Sequence, residues 1–172
     1  SAAVTEAEQR FGGIDVLVNN AGYGYRAAVE EGDEPDIRTL FETHVFGVVG
    51  LLKAVLPGVR ARRSGAIVNI STAWAFEPSA MFPTSAVFRA GLAAFTKLFT
   101  DSYAASNVRM NNVLPGWIDS LPATEERRDA VPMKRYGKAE EIAATIAFLV
   151  SDGAGYITGQ NIRVDGGLMR SI

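Results

Sequence analysis

The sequence contains no cysteine and one histidine, His44. The first absence excludes disulfides, thiol nucleophiles and Cys-ligated zinc. The second excludes a His-rich metal site or an HExxH helix, so no metal is expected. An excess of one charge is also missing. Seventeen Lys and Arg face nineteen Asp and Glu, a net charge of -2, which gives no long-range pull toward nucleic acid or an anionic membrane. The dense basic spot at Arg60, Arg62 and Arg63 reads as a helix C-terminus complementing its dipole. No apolar run approaches the roughly 18 residues that span a bilayer, and the N-terminus lacks a signal pattern. No nucleic-acid or membrane partner is expected, and a reducing cytoplasm suits the cysteine-free composition. The sequence also lacks an initial Met. It opens at Ser1 in what reads as the middle of a helix, so the fold is expected to begin partway through.

What is present is a strand–helix alternation over one domain, residues 1–172. Short β-branched apolar runs at 14–18, 66–70, 108–114 and 161–164 read as strands. The first two are nearly continuous in apolar residues, as in parallel sheets covered on both faces. Helical periodicity fills 37–62, 83–106 and 140–151, each long enough for a crossover. The pattern predicts an α/β fold, a Rossmann-like doubly wound parallel sheet. Residues 30–36 and 117–132 read as loops. The second follows a strand's carboxyl end, where open α/β sheets bind ligands, and is read as either a substrate lid or a connector. Asn69-Ile70-Ser71 matches a glycosylation sequon but falls in a predicted buried strand.

Gly22-Tyr23-Gly24-Tyr25-Arg26-Ala27 matches G-x-G-x-x-A after a strand. Gly32 and Pro35 interrupt the helix such a phosphate loop would open, so the match is weak. A larger constellation is more specific. Asn19-Asn20-Ala21-Gly22 ends the first strand, Asn69-Ile70-Ser71 the second and Asn112-Val113-Leu114-Pro115-Gly116 the third. Ile157-Thr158-Gly159-Gln160 and Asp165-Gly166-Gly167 flank the fourth. In order and spacing these resemble the short-chain dehydrogenase/reductase (SDR) family over nearly the whole chain. By that resemblance the four strands are the family's strands four to seven, the portion after the pyrophosphate loop, and the local glycine motif is a decoy. The resemblance implies NAD or NADP as cofactor. It places Asn19, Ala21 and Gly22 beside the adenosine half, and Ile70 and Ser71 near the nicotinamide ribose. Pro115, Gly116 and Ile118 fall against the carboxamide, and Ser120 where the family usually has a Thr. Small residues are expected there because backbone approaches a flat ring closely.

The family's Asn-Ser-Tyr-Lys positions align here with His44, Thr72, Ser85 and Arg89. Thr72 keeps a hydroxyl. Arg89 keeps a charge that stays protonated. Ser85 loses the tunable phenol, and with it a general acid worth about 10²–10⁴ in rate. His44 is either a substitute proton carrier or a hydrogen-bonded structural residue. Tyr23 and Tyr25 fall on the same edge, as do Trp74, Phe76 and Trp117, which line a pocket or bury the loops. A Ser85/His44 hydrolase lacks a nucleophile elbow. The expectation is an NAD(P)-dependent oxidoreductase homologue for a small carbonyl or alcohol substrate, inactive as this chain. The alternative is a non-catalytic binding or assembly subunit. In either case the resemblance implies a homo-oligomer, a dimer or tetramer, through the family's interface elements at 83–106 and 140–164.

Overall fold

The computed structural model describes residues 2–171; Ser1, where the sequence pattern opens, lies outside them. Four strands form one parallel sheet in the order β1 (Val16–Asn19), β2 (Gly65–Ile70), β3 (Val108–Pro115) and β4 (Asn161–Val164). The helices are α1 (Ala2–Phe11), α2 (Glu34–Phe41), α3 (Gly47–Arg62), α4 (Pro83–Tyr103), α5 (Glu125–Ala130) and α6 (Ala139–Val150). The expected α/β architecture is therefore present.

Strand alternation sorts the core into two layers. Ile67 and Met110 point to one face, where Leu52, Val55 and Val59 of α3 and Phe99 of α4 bury them. Val68 and Val113 point to the other, against Ile142 and Leu149 of α6. Arg109 reaches from β3 to the C-terminus of α6 and donates to the carbonyls of Leu149 and Ser151, at 2.7 and 3.2 Å. It thereby satisfies acceptors that a helix end leaves free.

Two segments differ from the sequence reading. Residues 30–36 were expected to be loop, yet α2 starts at Glu34. The Asp33 carboxylate accepts from the Asp36 N–H, and Pro35 occupies the first turn, a start signal obscured by the acidic composition. Residues 117–132 contain α5, capped by Thr124 accepting from the Arg127 N–H. Its sequence, EERRDA, is polar throughout and has no apolar period to detect. α2 and α3 join through a π turn, Glu42–Phe46, into one helix of 29 residues. That helix is long and apolar enough by composition to cross a membrane. Here Leu52, Val55 and Val59 pack on the sheet as a crossover.

A chain of asparagine amides crosses the α3/α4 face of the sheet. Asn19, Asn69, Asn112 and Asn161 are in register on the four strands. Each Nδ2 donates to the next Oδ1, at 2.8, 2.9 and 2.7 Å in turn. Thr96 of α4 adds a bond to Asn112 Oδ1 at 3.0 Å. Asn69 and Asn112 are fully buried, which also removes the sequon from solvent. A one-residue slip of any strand would turn its amide to the opposite face and orphan the neighbours. Asn112→Ala leaves three groups unpaired and is expected to cost on the order of 3 kcal/mol, against about 1 kcal/mol for Asn161→Ala at the ladder's end. Urea unfolding of the two variants measures this; equal losses would show that the ladder does not act as a unit.

Candidate functional site

The loops after β1, β2 and β3 leave the sheet on one edge and enclose a cavity of about 900 Å³. Ala21 and Gly22 form part of its wall from the first loop, Ile70, Ser71 and Thr72 from the second. Pro115, Gly116, Ile118 and Ser120 contribute from the third, and Ser85 and Arg89 from α4. Thus eleven of the thirteen residues singled out from sequence meet in one space. Asn19 does not line it, because its amide is committed to the ladder. His44 lies behind the first loop and does not line it either.

The side chains at the four aligned positions differ in what they can do. Thr72 caps the short turn Ala73–Ala75, its Oγ1 only 3.5 Å from the Trp74 N–H, so the hydroxyl is nearly uncommitted. Ser85 lies in the first turn of α4, and its Oγ is buried with no hydrogen-bond partner. The Ser71 Oγ is buried in the same way. Arg89, one turn beyond Ser85, donates from Nη1 to the Ile70 carbonyl at 2.9 Å. Burial lowers its pKa to about 10, still far enough above neutrality to keep it charged.

His44 sits in the π turn, stacked on Phe88 with ring centroids 4.6 Å apart. Its Nε2 lies 2.9 Å from the Tyr23 carbonyl oxygen and 3.2 Å from the Tyr23 amide nitrogen. A Cβ added at Gly22 would lie 2.4 Å from His44 Cε1. At Gly116 an added Cβ would lie 2.9 Å from Asp165 Cα. At both glycines protein atoms press on the space a side chain would need. Of the loop tyrosines, Tyr25 accepts through its hydroxyl from the Asp33 N–H at 2.8 Å and anchors the loop to α2. Tyr23 tilts over His44.

Among the cavity residues that sequence reasoning missed, two are charged. Arg26 lies over the Phe82 ring at 5.1 Å, and Arg127 over Trp117 at 4.4 Å. Arg127 sits on α5, within the segment read as a lid or connector, so the presence of a helix there was the missing signal. Trp74 and Trp117 pack together, centroids 4.6 Å apart, in the cavity wall; Phe76 lies outside it. No cluster of metal-ligating side chains occurs among the described residues.

A parallel α/β sheet with its cavity at the strand carboxyl ends defines a nucleotide-cofactor type of fold. A family model described as enoyl-(acyl carrier protein) reductase matches residues 1–169. The 3-oxoacyl-[acyl-carrier-protein] reductase FabG of Thermotoga maritima is 36% identical over 96% of this chain and 70% of its own length. The corresponding Vibrio cholerae reductase is 34% identical over 97% and 71%. Among solved structures, YwfH, an NADPH-dependent reductase involved in bacilysin biosynthesis, superposes with a TM-score of 0.91 at 30% identity, over 99% of this chain and 73% of that one. A putative betaketoacyl-ACP reductase gives a TM-score of 0.86 at 31% identity, over 96% and 72%. The chain belongs to the short-chain dehydrogenase/reductase family.

Burial and the Arg89 charge hold the His44 pKa below its ordinary 6.5, opposed by the contact with the Tyr23 backbone. The unfolded chain therefore takes up this proton first as pH falls. The stability contributed by neutral His44 is complete above about pH 6.5 and declines below it toward the folded pKa. Because His44 is the only histidine, urea midpoints recorded from about pH 7.5 to about pH 5.5 are expected to fall with pH. They should become nearly flat in His44→Gln. A slope unchanged in that variant would remove His44 as its source.

Proposed function

We propose that this chain is an NAD(P)-type reductase homologue whose catalytic positions are occupied by Thr72, Ser85, Arg89 and His44, and that it does not turn over a carbonyl substrate as it stands. Its contiguous strands β1 to β4 correspond to strands four to seven of the family sheet. The observation that carries the reading is the Ser85 hydroxyl, buried in the cavity wall with no partner.

The remaining residues fit the nicotinamide half of a dinucleotide. The unpartnered Ser71 hydroxyl and the free donors of Arg89 suit ribose oxygens. Ile70, Pro115, Gly116 and Ile118 offer a largely apolar wall, with Ser120 at its rim. When bound, such a cofactor supplies hydride chemistry. Thr72 would donate a hydrogen bond to a substrate carbonyl, and Ser85 would have to deliver the proton. An alkyl hydroxyl with no general base within hydrogen-bond distance is too weak an acid for that role near neutrality. Arg89 holds its proton, and His44 faces Tyr23 and Phe88 rather than the cavity. The decisive assay follows nicotinamide absorbance with NADH or NADPH and a panel of ketones and 3-oxoacyl thioesters. No turnover above background is expected. Steady turnover abolished by Ser85→Ala would overturn the proposal.

A second reading, an assembly subunit that keeps the fold for its surfaces, rests on α4. Val87 and Leu98 are 64% and 65% exposed. With Gly91 and Ala94 they form one apolar stripe at helical spacing. A second copy of the chain is the partner this stripe suits, as in a dimer or tetramer. Sedimentation at micromolar concentration is expected to show a dimer or larger, reduced to monomer by Leu98→Glu; a monomeric parent chain would eliminate this reading.

A further inference from the structure

We infer that the cavity at the strand ends is a receptor site for a small carboxylate with a flat apolar body. This inference deepens the proposed function, and rests on it in taking the space as the substrate half of the family site. The cavity lining contains Arg26, Arg89 and Arg127 but no Asp, Glu or Lys. None of the three arginines belongs to an ion pair among the described residues. The wall is therefore formally three positive charges without a counter-ion. Apolar walls concentrate such a potential in a cleft and draw an anion to it. No carboxylate in the lining would pair with a cationic ligand.

The way the arginines are held narrows the class of anion. Arg26 and Arg127 lie over the rings of Phe82 and Trp117. A guanidinium seated on an aromatic face spends that face and keeps its in-plane N–H donors available, in the fork that matches a carboxylate. The two come from different walls, the loop after β1 and helix α5, so an anion between them would bridge the mouth. Deeper in, the Ser85 hydroxyl is buried without a partner among the described residues and can accept from and donate to the polar end of a ligand that displaces water from it. Trp74 and Trp117, packed together at 60°, and Phe82 give the same lining an aromatic, apolar part against which a planar group can pack.

The probes are 1-naphthoate and its uncharged isostere 1-naphthamide, titrated into the chain by calorimetry. Emission from Trp74 and Trp117, the only two tryptophans in the sequence, gives a second signal from inside the cavity. Naphthoate is expected to bind at least about tenfold more tightly than naphthamide, a factor equivalent to 1.4 kcal/mol. The preference should fall several-fold in Arg127→Gln and again in Arg26→Gln/Arg127→Gln. Both substitutions lie at half-buried or exposed positions and leave the core intact. Equal affinity for the two probes, or a preference that survives the double variant, overturns the inference. ADP is the third arm. Competition between ADP and naphthoate, with ADP affinity also falling in Arg127→Gln, would assign these arginines to a nucleotide and likewise overturn it. Turnover in the reductase assay bears on the catalytic reading alone, so either proposal can fail while the other stands.

Discussion

The asparagine ladder is the interaction on which the remaining structure depends. Parallel strands make no hairpins with each other, so nothing local sets how far one slides past the next. Here four amides linked end to end, three of them buried, fix all three registers at once. They do so near the carboxyl end of the sheet, since Ser71 follows Asn69 by two residues and Pro115 follows Asn112 by three. The loops that enclose the cavity consequently leave the sheet from a common line. Thr96 ties α4 to the same network, which places Ser85 and Arg89, farther up that helix, above the second strand's end.

The site separates into a rigid floor and an adjustable mouth. Strand ends, the Arg89 bond to Ile70 and the buried serine hydroxyls belong to the floor, where each group is held by neighbours in the core. Arg26 and Arg127 belong to the mouth and are anchored only by stacking on rings. Ser85, on which the proposed loss of proton transfer rests, lies in the floor, whereas the surplus positive charge lies mostly in the mouth. The two properties therefore reside in different parts of the molecule and can vary independently.

Much of this was legible in the sequence, for physical reasons that differ from one element to another. The strands at 66–70 and 108–114 could be read because burial on both faces demands apolar runs. Helix α4 could be read because it buries one periodic stripe. Most site residues were found because they abut strand ends within recurring motifs. Helix α5 was not legible, since a short charged helix stabilised by caps has no apolar signature. The ladder was not legible either. Asn19 was assigned to the cofactor, and only the registers of Asn69, Asn112 and Asn161 reveal that their amides meet. Arg26 and Arg127 were missed because solvated and cavity-facing arginines look alike in sequence.

Gly22 and His44 also have an implication for how such a chain can change. The ring occupies the space where a side chain at residue 22 would begin, so the two positions are sterically one unit. Any larger residue at 22 must expel the imidazole from its stack on Phe88, and it becomes tolerable only once position 44 has shrunk. The order of substitution matters along such a route. A sequence that acquires the smaller residue at 44 first opens the space, while one that enlarges 22 first must displace the imidazole. The histidine acts as a ratchet on the loop beside it.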